Sequence, residues 1–348
     1  MATRAAQAEA LAPAAPELSD TTGGRDAGID RSGVAESEGG GASAAVDRPH
    51  SDPYDADDAD TDADEGAIRH RWLLRVCFRG AGFSGYQRQE GQRTVQGTLE
   101  ESWAAWQNER VLLRGSSRTD AGVHARALPV LLRTARTLPA KALLLGWNAH
   151  LPDDVAIAAV EAVPEAFHIR NDAIGKRYLY RIWNARPRSP RHAVDHWHVG
   201  ASLDVPAMAE AAALLAGDHD FSAFRAAGCQ SPTTWRTLRG VSLQAHADEA
   251  VAGARVIVLT VEGNAFLQHM VRIIAGTLVA VGRGQRCLAD VKRALAEGDR
   301  RAAGQTAPPN GLELDAVAYG PPGARQGLEH KALLARMAAL DGGGSSRR

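Results

Sequence analysis

The 348-residue chain has only three cysteines, Cys77, Cys229 and Cys287, far apart and with no CxxC pair among them. That spacing argues against a disulfide framework and a structural zinc site, and it suits a reducing compartment. No apolar run is long enough to cross a bilayer. The N-terminus has no apolar leader core, and its acidity is wrong for an organelle transit peptide, so a cytoplasmic protein is expected. Large apolar residues are nearly missing from residues 1–67, which are rich in Ala, Gly, Ser and Asp. Such a segment cannot bury enough surface to offset its chain entropy and is expected to be disordered. Its run DPYDADDADTDADE, Asp52–Glu65, lacks the glycine and closing glutamate of an EF-hand loop, which leaves a solvated acidic tail. Residues 321–348 form a second tail, with room for a short peripheral helix over Leu333–Leu340.

The formal net charge of -1 hides an asymmetry. Met1–Gly66 carries 4 basic and 16 acidic residues, and the remainder carries 36 basic and 25 acidic. A globular part with that basic excess suits a polyanionic partner such as nucleic acid, and equally a solvated basic surface.

Periodicity organises residues 68–320. WLLRVCFR alternates, with Trp72, Leu74, Val76 and Phe78 on one face and Arg71, Arg75 and Arg79 on the other, which predicts a strand. Thr94–Gln107 has helical spacing through Val95, Leu99, Trp103 and Trp106. Strands are predicted at Val111–Leu113, Leu128–Leu132 and Val155–Val160, and a helix at Ala140–Asn148. A second set follows: strands at Arg177–Trp183, Thr237–Ala245, Arg255–Glu262 and Leu312–Val317, and helices at Val205–Leu215, Ala265–Val281 and Leu288–Ala296. Short polar connections between neighbouring strands predict an α+β fold with mixed or antiparallel sheets. The expected division is an N-terminal half, residues 68–172, and a C-terminal half, residues 173–320.

Several segments carry candidate chemistry. RGAGFSG places Gly80, Gly82 and Gly85 in a GxGxxG pattern after a strand. A dinucleotide site needs a helix to start at the last glycine, but polar YQRQEGQR follows, so a basic loop is expected, with Arg88 and Arg93 available for phosphates. In GSSRTDAGVHA, Gly115–Ala125, Asp120 is either a turn carboxylate or an ionised nucleophile. Arg118, two residues away on an extended segment, points to the same side and favours the charged form, as an ordinary ion pair also would. In GNAFLQHMVRIIAGTLVAVGRG, Asn264 is a helix N-cap candidate, and Gln268, His269, Arg272 and Gly276 fall along one edge of an otherwise apolar helix. A buried Arg272 requires an anionic partner, which is either a structural carboxylate or a site containing Asp120 or a phosphate. Tyr178 in KRYLYRIWN is either a core aromatic or a stacking platform for a base. DFSAFRAAGCQSPTTWRTLRG interleaves Phe221, Phe224 and Trp235 with Arg225, Arg236 and Arg239, a composition that suits RNA.

SRTDAGVHA, KRYLYRIWN, DFSAFRAAGCQSPTTWR and GNAFLQHMVRIIAGTLVAVG, in this order, closely resemble the tRNA pseudouridine synthase A family, and FSGYQRQEGQRTVQGTLE and FHIR fit it too. The resemblance covers about residues 68–320 and leaves out both tails. It implies a pseudouridine synthase fold, two α+β halves around a central basic cleft, in a homodimer. It implies isomerisation of uridine to pseudouridine at positions 38, 39 and 40 of the tRNA anticodon stem-loop, with no cofactor and no metal. The family's nucleophile maps onto Asp120, its active-site tyrosine onto Tyr178, its active-site arginine onto Arg272, and the arginine preceding the nucleophile onto Arg118. Three positions depart from the family's usual residues: Arg79 before Gly80 instead of aspartate, Tyr86 instead of tryptophan, and Glu313 instead of an aromatic. The acidic N-terminal tail has no counterpart in the resemblance; its charge suits competition with non-cognate RNA for the basic cleft.

Overall fold

The structure, a computed structural model, describes residues 70–321. The acidic segment and the expected helix at Leu333–Leu340 lie outside the described residues.

Among the described residues a ten-stranded sheet follows the order β4-β1-β3-β10-β5-β9-β8-β7, with β2 paired to β3 and β6 to β5. Its first strands are β1 (His70–Phe78), β2 (Arg114–Gly115), β3 (His124–Thr134), β4 (Val155–Ala162) and β5 (Ala173–Asn184). The rest are β6 (Trp197–Val199), β7 (Gly217–Asp220), β8 (Trp235–Ala247), β9 (Arg255–Gly263) and β10 (Leu312–Tyr319). Pairing is antiparallel except for β10 with β3 and β5 with β6, so the sheet is mixed, as the short connections predict. The last strand, β10, inserts between β3 and β5 and joins the two predicted sets of strands into one sheet.

The helices are α1 (Val95–Gln107), α2 (Ala140–Asn148), α3 (Val205–Ala213), α4 (Met270–Gly282) and α5 (Leu288–Glu297). α1 starts where Thr94 accepts a hydrogen bond from the Gly97 N–H, and it stops where Asn108 turns left-handed. A 13-residue helix is marginal alone. Here Val95, Leu99 and Trp103 are buried against Leu74, Val76 and Leu128 of β1 and β3. Each such side chain contributes about 1.5–3 kcal/mol relative to an exposed one, so packing rather than propensity holds the helix. A second core joins α3, α4 and α5 to Tyr180, Ile182, Ile257 and Leu259 of β5 and β9. Both cores cover the same sheet face: Tyr178 packs against both, and its register partner Leu314 belongs to the first. The other face carries ion pairs, with Arg177 on Asp315 and Glu262, Arg239 on Glu262, and Arg181 on Glu313.

Two expectations about local structure are corrected. Val111–Leu113 is not a strand; the short strand is Arg114–Gly115. The helix expected from Ala265 starts at Met270, because Asn264 does not cap it. The Asn264 Oδ1 accepts from the Thr237 and Ala265 N–H groups and closes the end of the β8–β9 ladder. Residues 264–269 are therefore an irregular approach to α4.

Candidate active site

Asp120 sits in the loop between β2 and β3. The loop closes with the Val123 N–H on the Asp120 carbonyl. Gly122 takes φ +81, and a Cβ there would stand 2.9 Å from Pro309 Cγ, so only glycine fits the turn. Residues 80–86 brace it from outside: Gly122 N–H donates to the Phe83 carbonyl, and Tyr86 N–H to the Thr119 carbonyl. The GxGxxG segment thus serves as a wall for the Asp120 loop. It contains a single 3-10 turn at Gly80–Gly82, and the next helix starts only at Val95, so no helix N-terminus faces Gly85. Two cations hold the start of the loop, with Lys176 Nζ 3.2 Å from the Ser116 carbonyl and Arg170 Nε 3.4 Å from that of Gly115.

The Asp120 carboxylate meets α4. Arg272 Nη1 lies 3.2 Å from Oδ2, and Arg272 Nε donates to the Ala307 carbonyl at 2.8 Å. His269 Nε2 is 3.3 Å from the same Oδ2. The Arg272 side chain is 14% exposed and that of Asp120 is 31% exposed, so the arginine is embedded while the carboxylate remains open to a substrate. Nucleophilic chemistry by a carboxylate needs that combination of a fixed negative charge and access.

Tyr178, on β5, borders the site. Its ring stands edge-on to Phe266 at 5.0 Å. Burial pushes its phenol up to about 12; the Ser117 hydroxyl opposes the shift and the Asp120 charge adds to it. The phenol is neutral at physiological pH, a donor and not a base. Tyr178 is thus both a core aromatic and a wall of the site.

Arg118 is exposed and does not belong to the Asp120 cluster; the basic side chains at that carboxylate, among the described residues, are Arg272 and His269. Arg118 instead lines a pocket of about 220 Å³ with Tyr86, Arg114 and Arg170. His124, the first residue of β3 after the turn, accepts from the Gly80 N–H at 3.2 Å through Nδ1, and burial lowers its pKa, so it is a neutral brace.

Other sequence candidates fall out of the site. Arg93 forks onto Asp154 at 2.8 Å through both Nη atoms, and Arg88 bridges Glu100 and Glu101, so both arginines expected to face phosphates hold protein carboxylates. Phe221 and Phe224 are fully buried in the core, and Arg236 turns inward to the Thr233 carbonyl. Of that basic-aromatic segment, Trp235, 59% exposed, and Arg225 stay at the surface. Glu313 pairs with Arg181 at 2.9 Å on the sheet face away from the helices. Sequence reasoning missed His269 as a partner of Asp120, although the helical edge pointed to it.

The description "tRNA pseudouridine synthase" belongs to the family model that matches residues 76–172 and 211–320. Asp120, Arg118 and Arg272 fall within the matched ranges, and Tyr178 falls between them. A tRNA pseudouridine synthase A of Myxococcus xanthus is 44% identical over 254 residues, 72% of this chain and 94% of the relative. One of Geotalea uraniireducens is 42% identical over 246 residues, 71% of this chain and 98% of the relative. One of Pseudoalteromonas atlantica is 43% identical over 249 residues, 72% and 92% of the two chains.

Proposed function

The chain belongs to the tRNA pseudouridine synthase family, and from that premise we propose that it isomerises uridine to pseudouridine at positions 38, 39 and 40 of the tRNA anticodon stem-loop, with Asp120 as nucleophile. The observation that carries the assignment of Asp120 is its pairing with Arg272, 152 residues away in the chain. A structural ion pair has no need of an open carboxylate, and this one is partly exposed.

The target uridine leaves its stack and enters beside Asp120. The carboxylate attacks the sugar C1′ or the base C6. The bond between N1 and C1′ breaks, the uracil turns, C5 bonds to C1′, and the bond to the Asp120 carboxylate breaks, which returns the free aspartate. A proton leaves C5 and one is gained at N1, so substrate and product are isomers and no oxidant or reductant enters the equation. Arg272 pairs with the carboxylate and holds it in place. Tyr178 offers a ring edge and a neutral hydroxyl to the turning base. Arg118, exposed beside Arg114 and Arg170, is assigned to an RNA backbone phosphate, and the basic excess of the folded part favours capture of the polyanion. A homodimer in the cytoplasm, with halves at 68–172 and 173–320 flanking a basic cleft, completes the reading. No helix among the described residues is long and apolar enough to cross a membrane.

The test is tritium release from tRNA labelled at uridine C5, with wild type and Asp120→Asn side by side. Release by wild type alone supports the proposal. Tight tRNA binding without release by either protein makes the chain a non-catalytic RNA binder, and equal release by both removes Asp120 from the nucleophile's place.

A further inference from the structure

We propose that His269 is a positioning residue for Asp120, selecting which carboxylate oxygen meets the substrate. The inference rests on the reading of Asp120 as nucleophile. Its basis is geometric. His269 Nε2 and Arg272 Nη1 approach the same oxygen, Oδ2, at 3.3 and 3.2 Å. Oδ1 takes no hydrogen bond or ion pair among the described residues. One donor on a carboxylate leaves it free to rotate about that contact. A hydrogen-bonded guanidinium and an imidazole at ion-pair distance, converging on one oxygen, restrict the group's rotation and present Oδ1 outward. The His269 contact is an ion-pair distance and not an aligned hydrogen bond, and it is attractive only when Nε2 carries a proton.

The backbone supplies an independent observation. His269 takes φ 62 and ψ 3, a left-handed conformation that costs a side chain with a Cβ. Among the described residues the other non-glycine at positive φ is Asn108, a residue type that tolerates this region, at the C-terminus of α1. His269 stands at the N-cap of α4, where Ser, Thr, Asp or Asn would cap the helix, yet its side chain makes no capping bond. The strain is therefore not explained by helix initiation. The left-handed turn ends the approach from Asn264 and brings the imidazole onto Asp120.

This separates the side chain from the backbone. Glycine adopts the left-handed turn without strain but has no donor. Glutamine carries an amide nitrogen at the reach of the imidazole Nε2 and meets the same backbone strain as histidine. His269→Gly is expected to be at least as stable as wild type, with kcat for tritium release lowered about ten- to a hundred-fold and KM for tRNA within about two-fold, the scale of a misplaced reacting group. His269→Gln is expected to recover most of that loss. His269→Gly with wild-type kcat, or Gly and Gln variants equally slow, overturns the proposal. Asp120→Asn serves as the reference. If it is inactive while His269→Gly is fully active, only the role of His269 falls; if it keeps wild-type release, the reading of Asp120 falls and this inference with it.

Discussion

Arg272 joins Asp120 to the strap that precedes β10: its Nη1 is 3.2 Å from the Asp120 carboxylate, and its Nε donates to the Ala307 carbonyl at 2.8 Å. The Ala307 N–H returns a bond to the Arg272 carbonyl, so the helix and the strap are pinned at one residue. A guanidinium serves two acceptors at a fixed angle; an ammonium is a single point of charge. Arg272→Lys keeps the charge and loses that geometry.

Arg272→Lys is therefore expected to lower kcat by about a hundred-fold, the scale of one preorganised donor at a reacting group. The fold should survive, because apolar neighbours hold α4. Tritium release together with thermal melting checks this; a variant within two-fold of wild type would show that charge alone suffices.

The strap itself depends on a glycine. Gly276, one turn beyond Arg272, lies so close to the strap that an added Cβ would overlap the Gln305 carbonyl, a backbone atom that cannot rotate away. Gly276→Ala should push residues 304–307 off α4. Overpacking of this kind costs about 1–3 kcal/mol. Because Ala307 also holds Arg272, turnover is expected to fall together with the melting temperature, and normal turnover at an unchanged melting temperature would contradict the packing argument.

The strong periodic elements were legible because their burial is local. Val95, Leu99 and Trp103 are core because their spacing matches a helix, and Trp72, Leu74, Val76 and Phe78 line one face of β1 because they alternate. The short strands β2, β6 and β7 were not legible, since two to four residues carry no period. The start of α4 was misread because Asn264 has two possible uses, and a contact to Thr237 on another strand decides between them. The same non-local logic applies to cations. Nothing in YQRQEGQR reveals that Arg93 faces Asp154, 61 residues on. The encounter of Asp120 with Arg272 was legible as one alternative, because a buried arginine demands an anion. The encounter with His269 depends on a left-handed turn that no pattern announces.

Tyr178 gives a prediction with a sign. An unfolded phenol ionises near 10, whereas in the folded protein Tyr178 is pushed up to about 12. The folded state thus keeps a proton that the unfolded state releases. Tyr178 adds no pH dependence at neutral pH, and it lowers stability as pH rises from about 10 through about 12, on the order of 1 kcal/mol per pH unit. Tyr178→Phe removes that alkaline loss, so the stability difference between variant and wild type should move in the variant's favour above pH ~10. The difference in phenolate absorbance between the two folded proteins should show one group ionising near 12; ionisation near 10 would contradict its burial.

The face of the sheet away from the helices offers a control. Glu262 on β9 lies between Arg177, at 3.2 Å, and Arg239, whose Nε is 2.7 Å away. The Glu262 side chain is 17% exposed and the Arg177 side chain 39%, so solvent screens part of the attraction. Glu262→Gln retains the shape and an acceptor but removes the shared negative charge between Arg177, which keeps Asp315, and Arg239. A loss of about 1–2 kcal/mol is expected, which for a chain of this size is a few degrees in melting temperature. The pair lies across the sheet from Asp120, so kcat below the melting transition should stay within about two-fold of wild type. Raising the ionic strength should narrow the stability gap, because screening weakens the lost attraction. If turnover instead falls while stability holds, the charged face contributes to catalysis or tRNA binding, and the assignment of the site to the helix-covered side would need an RNA contact on the opposite face as well.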